Sequence, residues 1–458
     1  MRLPRAWLPW LPVLLATAVF SSALHASFQF DDWRVVLEDP RVASLAAWWE
    51  SMPGMRALLK FTYALNHEWD AAPAGFRAVN IALHALNAAL VFVLARQLAQ
   101  RLRVADATGA AIIATVTGLV FALHPVQAES VTYISGRSNV LATLGCLLAL
   151  LAWLRGREPG AAWGWMLLAA LCQVAALAGK ETAAVLPLAM LLCLAGEHWP
   201  ARRDLIAPLV LCALVVALFM LAWPHLPYDY LLRTSLDTRG LLANLAVQAQ
   251  GVSYLVGQLF LWNRLNADPM LQPAAAFTPV VLLQGAVLAA ALVAGLLALR
   301  RRPWLGFGIL WFFLWLAPTN SLLARLDVAN DRQLYFAIVG PAWLLGVGIA
   351  HARRWAPQAV LLLAVALSYG ATVRNRVYAT ETIFWRDVVA KSPHNLRAWN
   401  NLGMALAVEC QPAEAAQVFE EAIRRNPDDP RPQVNLALLQ RGELPGVPEA
   451  CRATTDFL

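Results

Sequence analysis

Residues 76–103 read FRAVNIALHALNAALVFVLARQLAQRLR, and this stretch decides the fold. From Phe76 to Ala95 the residues are mostly apolar for about 20 positions, and a helix rising ~1.5 Å per residue over that length crosses the ~30 Å hydrocarbon core of a bilayer. Arg96, Arg101 and Arg103 follow at once, the kind of basic cluster that marks the cytoplasmic end of a span. Asn80, His84 and Asn87 recur at i, i+4 and i+7 and form one polar stripe. Within a span such a stripe serves hydrogen bonding between helices, and a lone histidine makes a metal site the weaker explanation.

The same pattern repeats outward in both directions. Further apolar runs lie at about 7–24, 108–124, 139–154, 161–178, 182–196, 205–223, 279–299, 304–318, 333–350 and 357–373, which predicts eleven transmembrane helices in an all-α polytopic protein. Alternate connections carry Arg2 and Arg5, the Arg96–Arg103 cluster, Arg155 and Arg157, Arg202 and Arg203, Arg300 to Arg302, and Arg353 and Arg354. The positive-inside rule makes these ends cytoplasmic, with the N-terminus inside and the C-terminus outside. A twelfth span at 241–262 would break this alternation, so that stretch, with Gln248, Gln250, Ser253 and Gln258, is predicted to be interfacial or re-entrant.

Composition agrees. Of 458 residues 59% are apolar and 14% charged, and 19 are tryptophan, so the bilayer is the expected solvent. The net charge of +7 resides in the arginine clusters and is an orientation signal, not a nucleic-acid footprint. Arg2, Arg5, the run from Trp7 and the small residues Ser21 to Ala23 imitate a cleavable signal peptide, but a retained first helix is favoured because residues 28–32 then begin a segment to be held at the membrane surface. Cys146, Cys172, Cys193 and Cys212 sit within apolar runs as small hydrophobes. Only Cys410 and Cys451 could pair, and two isolated cysteines are no disulfide framework, so free thiols are expected.

After residue 375 the periodicity changes. Trp399, Leu402, Gly403, Leu406, Ala415, Phe419, Ala422 and Pro427 fit the ~34-residue tetratricopeptide pattern. Phe384, Trp385, Val388 and Pro393 resemble the second helix of a preceding repeat, and residues 434–439 the first helix of a following one. The chain thus divides into a membrane unit at 1–375 with an outer loop at 25–75, repeats at 376–445 and a tail at 446–458. So short an array buries too little surface to stand alone, and it is expected to stack on the last span or on a partner.

With that topology, Asp31, Asp32, His67, Glu68, His124, Glu129, Arg137, Lys180, Glu181, Asp331 and Arg332 all reach the outer face, where ionisable residues near a membrane are expensive and usually functional. Adjacent carboxylates at Asp31 and Asp32 open a loop too long for a plain connection. Either one takes a proton from an attacking hydroxyl while its neighbour assists, or both hold a divalent cation. Arg137, Lys180 and Arg332 could clamp a departing phosphate. The bland alternative is local pairing of Arg137 with Glu129, Lys180 with Glu181 and Arg332 with Asp331.

Particular strings narrow these choices: Phe30-Asp31-Asp32 with Asp39-Pro40, Leu65-Asn66-His67, Gly75-Phe76, His84-Ala85-Leu86-Asn87, Phe121 to Gln127 with Glu129, Ser135-Gly136-Arg137, Gly179-Lys180-Glu181, Leu316 to Thr319, and Asp331 to Tyr335. In order and spacing the chain resembles the transmembrane-and-tetratricopeptide O-mannosyltransferase family and its bacterial relatives, of the type C glycosyltransferase superfamily. The resemblance implies an inverting transferase in a bacterial inner membrane, moving a sugar such as mannose from a polyprenyl-phosphate donor to a hydroxyl acceptor on the periplasmic side, with a metal dispensable and a divalent cation not favoured. It implies that Asp31 or Asp32 is the base, that Arg332 leads the phosphate contacts with Arg137 and Lys180, and that His67, His124, Glu129 and Tyr335 support them. The acceptor, protein or glycan, would meet the repeats. A non-catalytic envelope scaffold and a lipid or glycan transporter are the rival readings. No inverted repeat favours the transporter.

Overall fold

The structure is a computed structural model that describes residues 9–52, 54–196, 202–271, 277–325 and 327–452. Arg2 and Arg5, the start of the first run at Trp7, and residues 453–458 of the tail lie outside it, as do the side chains of Arg202 and Arg203. Every regular element described is helical.

Each of the eleven apolar runs is helical over its described residues, but length and composition carry only part of the expected count. Pro73–Arg101, Ile134–Gly156, Asp204–His225, Pro279–Arg301 and Arg353–Val377 are each long and apolar enough to cross a membrane, and two bent pairs raise the total to seven. The other four, Trp10–Ala23, Gly164–Gly179, Glu181–Cys193 and Pro303–Leu316, are shorter. The Leu241–Gln258 helix is not among the candidate crossings. It turns Asn244, Gln248 and Gln258 inward and leaves Leu241, Leu242 and Leu245 exposed.

Burial separates a central group of helices from a lipid-facing rim. The apolar window of Ile134–Gly156 is 72% buried, whereas that of Pro279–Arg301 is 11% buried and exposes Val280, Leu283 and Leu297. A rim so apolar needs lipid around it; the chain is a membrane protein. Where Arg137–Gly156 meets Gly164–Gly179, a Cβ on Gly145 would lie 2.8 Å from the Ala176 methyl, so two small residues set that close crossing. The polar stripe works between helices as expected: Asn80 Oδ1 accepts from Arg137, Asn87 Nδ2 donates to the Val140 carbonyl, and His84 Nδ1 lies 2.9 Å from the Tyr335 hydroxyl.

The two ends of the bundle differ in chemistry. At one end Arg101 donates to the Leu154 carbonyl, Arg157 pairs with Asp204 at 3.0 Å and Arg353 with Asp106 at 2.7 Å. The other end holds the acidic loop and the repeats. Two breaks shape it. Ala107–Leu123 stops before Pro125, which lacks an amide donor, and the chain resumes bent by 47° through residue 131, delivering Glu129. Asp331–Ala337 and Val339–His351 bend by 53° and deliver Arg332.

The last long helix ends at Val377 and Glu381–Lys391 begins the repeat region, followed by Leu396–Val408, Pro412–Arg425 and Pro430–Gln440. A Cβ at Gly403 would sit 2.5 to 2.8 Å from the buried Phe419 ring, which is why glycine stands at that helix crossing. Against expectation, Cys410 and Cys451 are joined by a disulfide, with Cα atoms 5.1 Å apart. The chain after Gln440 folds back and buries Leu444, Val447 and Cys451, bringing together two cysteines that are 41 residues apart in sequence.

Candidate active site

Asp31 and Asp32, equivalent in sequence, are not equivalent in space. Asp32 is fully buried: Oδ1 accepts from the Ser135 amide at 2.7 Å and its hydroxyl at 2.6 Å, and Oδ2 accepts from the Gln29 amide at 3.2 Å. Burial raises its pKa to about 6, against the lowering effect of the Ser135 bonds and of nearby Arg77. Both its oxygens therefore accept hydrogen bonds that hold the loop. Asp31 is half-buried, its amide donates to the Tyr133 hydroxyl at 3.0 Å, and its carboxylate lies within electrostatic reach of Arg332. No described residue hydrogen-bonds that carboxylate.

Arg332 is the hub. Its amide donates to Glu129 Oε2 at 2.8 Å and its guanidinium lies 3.5 Å from Glu129 Oε1. On one side it lines a cavity with Lys180, Asn139, Thr319 and Tyr335. On the other it lines a second cavity with Phe30, Glu129, Tyr133 and Tyr378. Lys180 Nζ donates to Asn139 Oδ1 at 2.6 Å; burial, then the neighbouring Arg56, Arg332 and Arg325, push its pKa down. An anion in the first cavity would reverse that push. A separate apolar groove of about 520 Å³ is lined by Leu188, Leu191, Leu292, Leu310, Phe313 and Leu314 with Asn320 and Ser321, on the same stretch of chain whose Trp315 and Thr319 line the first cavity.

The remaining site residues divide. Arg137 does not join Arg332 and Lys180: it is fully buried, bonded to Asn80 Oδ1 at 2.7 Å, the Phe76 carbonyl at 2.8 Å and the Thr62 carbonyl at 3.1 Å, with its guanidinium 4.7 Å from the Tyr63 ring centre. All three guanidinium nitrogens are occupied, so it fastens helices together. His67 Nε2 lies 2.8 Å from the Val36 carbonyl and braces the turn after Asp32. The amide of Val126 donates to His124 Nδ1, and Nε2 lies 3.0 Å from the Leu259 carbonyl; His124 lines neither cavity. The Tyr335 hydroxyl is held by His84 and Asn87. Nor do the local ion pairs form: Glu181 pairs with Arg56 at 3.0 Å and Asp331 faces Arg374 at 3.7 Å. No three metal-ligating side chains converge among the described residues.

Sequence reasoning missed Tyr133, Ser135, Asn139 and Glu381. Ser135 and Tyr133, four residues beyond Glu129, carry no charge to mark them. Glu381 sits in a helix that sequence assigns to the repeats, yet its carboxylate accepts from the Phe30 amide at 3.1 Å and the Trp33 indole at 3.2 Å.

The sequence is similar to that of known proteins. Residues 396–429 match the family model "Tetratricopeptide repeat". "Protein O-mannosyl-transferase Tmtc1" of Drosophila melanogaster is 31% identical over 199 residues, covering 39% of this chain and 21% of that protein. "Protein O-mannosyl-transferase Tmtc2" of the same organism is 31% identical over 201 residues, covering 39% and 20%. "Protein O-mannosyl-transferase Tmtc3" is 25% identical over 478 residues, covering 84% and 50%. The chain thus spans about a fifth to a half of the length of these curated relatives. No solved structure matches. From its apolar helices through its repeat, this chain is similar to proteins named as protein O-mannosyl-transferases.

Proposed function

We propose that this chain transfers a sugar, mannose being the first to try, from a polyprenyl phosphate to a hydroxyl acceptor, in a type C glycosyltransferase fold. The observation that carries this reading is the position of Arg332. It stands between a cationic cavity and a second cavity beside Asp31 and the repeats, and other residues of the segment whose Trp315 and Thr319 line the first cavity line an apolar groove. A lipid phosphate has this two-part chemistry, an apolar chain for the groove and an anion for Lys180 and Arg332.

Asp31 takes the proton of the acceptor hydroxyl, the oxygen attacks the anomeric carbon from the face opposite the phosphate, and the sugar–phosphate bond breaks with inversion. Lipid monophosphate leaves toward Arg332 and Lys180, whose fixed charges stabilise the growing negative charge without reorganising. Asp32, held by Ser135 and Gln29, keeps the loop in place and transfers no proton. The acceptor, a protein chain as the relatives' names suggest, enters from the repeat side. A non-cytoplasmic location of this end is supported by the arginine clusters at the other end and by the Cys410–Cys451 disulfide, which persists in an oxidising compartment.

The test is transfer of radiolabelled sugar from a panel of polyprenyl-phosphate donors to envelope acceptors, in membranes carrying wild type, Asp31→Asn or Arg332→Ala. Loss of transfer in both correctly inserted variants supports the reading. Wild-type membranes inactive with every donor would move the assignment to a scaffold or a transporter.

A further inference from the structure

The turn that presents Asp31 is strained, and the repeats hold it. Phe30, immediately before Asp31, has φ of 44°, in the left-handed region that side chains other than glycine's avoid. Its contacts come from the repeat region. The amide donates to Glu381 Oε1 at 3.1 Å, the ring meets Trp385 edge-on with centres 5.1 Å apart, and the Arg397 guanidinium lies 5.2 Å from the ring centre. On the same segment, the Ser27 amide donates to the Ala379 carbonyl at 3.1 Å and Gln29 Nε2 donates to the Tyr378 carbonyl at 2.9 Å.

The grip extends to the loop bearing Arg332. Arg397 pairs with Asp268 and, at 3.4 Å, with Asp327, four residues before Asp331; Asn395 Nδ2 donates to Asp268 Oδ2 at 2.9 Å. Two side chains of the first repeat helices, Glu381 and Arg397, therefore reach both the base loop and the phosphate loop. A free-standing recruiting arm would need neither contact. The cavity between the loops is lined by Phe30 and Phe384 together, so an acceptor entering there touches strained turn and repeat at once.

We propose that Glu381 is a positioning residue, a latch by which the repeat helices keep the Phe30 turn in its left-handed form and so aim Asp31 at the acceptor beside Arg332. The proposal rests on the transferase reading for its catalytic consequence, but the latch itself is a statement about the turn. Breaking it lets Phe30 relax to an ordinary conformation and turns Asp31 away. Glycine at position 30 accepts the left-handed form without strain and needs the latch less.

The experiment uses the full chain in nanodiscs, as wild type, Glu381→Ala, Glu381→Gln and the double variant Glu381→Ala with Phe30→Gly. Two quantities are read: steady-state transfer, separated into kcat and donor KM, and amide hydrogen exchange across residues 27–33. Glu381→Ala is expected to lower kcat by roughly 10- to 100-fold, the scale of a misplaced reacting group, with donor KM unchanged and exchange of the Phe30 amide faster. Glu381→Gln keeps an acceptor for that amide and should restore most of kcat, and Phe30→Gly should partly rescue Glu381→Ala. Unchanged kcat, or unchanged exchange at 27–33, in a correctly inserted Glu381→Ala protein overturns the latch. If wild type transfers from no donor, the transferase reading falls, and the exchange measurement still decides the latch. Should Glu381→Ala fail to insert, the Gln and double variants carry the same comparison.

Discussion

Asp31→Asn and Asp32→Asn should fail in different ways, and the difference follows from their hydrogen bonds. The Asp31 carboxylate accepts no hydrogen bond from a described residue, so the amide is expected to leave the fold intact while removing the base. General-base catalysis is worth ~10²- to 10⁴-fold in rate, and that is the expected loss of kcat at unchanged melting temperature. Asp32 accepts from Ser135 twice and from Gln29 once, all buried. An asparagine there keeps one acceptor oxygen and sets its amide against a buried N–H, which costs about 1–3 kcal/mol.

The pH dependence of that cost has a definite sign. The pKa of Asp32 is raised from 3.8 to about 6, chiefly by burial. For a group raised on folding, the stabilisation is fully present below the unfolded value and is lost as pH rises through the folded one, here between about 4 and 6 and on the order of 3 kcal/mol. The stability gap between wild type and Asp32→Asn should therefore be widest near pH 4 and narrow through pH 6. Thermal unfolding of detergent-solubilised protein at several pH values reads the gap, and the transfer assay reads kcat. An Asp32→Asn protein of full stability that cannot transfer, beside an Asp31→Asn protein that can, would reverse the assignment.

Three further outcomes are expected. Arg137→Ala strips partners from the Asn80 side chain and the Phe76 and Thr62 carbonyls in a dry site and should lose ~3–5 kcal/mol, seen as poor yield and early unfolding in detergent, whereas Arg332→Ala should fold and lose ~10²- to 10³-fold in kcat; equal stability of the two would remove the distinction between staple and clamp. Leu314→Trp, which fills part of the 520 Å³ groove, should raise the KM for long-chain donors more than for a short-chain analogue, and an equal effect on both would place the lipid elsewhere. Gly403→Ala presses a methyl on the Phe419 ring and should destabilise the repeat by about 1–3 kcal/mol, read by limited proteolysis after residue 396; wild-type resistance would contradict the tight crossing.

The physics of hydropathy explains what could be read early. Burying a helix in lipid demands an unbroken apolar run, so the runs from 7–24 to 357–373 are visible in the sequence, and each is helical over its described residues. The tetratricopeptide positions were legible for the same reason: Gly403 and Phe419 must fit each other within one short segment. Crossing number was not equally legible. Composition does not reveal that the helices at 164–179, 181–193 and 303–316 are short, or that the chain bends at Pro125 and again after Ala337. The stretch at 241–258 is separable because a span there breaks the alternation of the arginine clusters and because Gln248, Gln250, Ser253 and Gln258 are scattered through it. Charges outside the membrane could be listed by residue but not paired: Glu129 finds Arg332, Glu181 finds Arg56 and Asp331 faces Arg374, each across a distance in sequence that no local pattern records.

By itself the sequence determined an all-helical membrane chain, its repeat, and the short roster of acids and bases able to do chemistry, because periodicity and composition are local properties that lipid and helix packing read directly. Only the tertiary structure decided which carboxylate is free, which arginine is a staple and that the repeat grips the acidic loop. Those distinctions depend on whether a side chain's partners, many of them brought from distant parts of the chain, use up its hydrogen bonds. Asp31 and Asp32 are the same residue type one position apart, and the hydrogen bonds from Ser135 and Gln29 to Asp32 separate them.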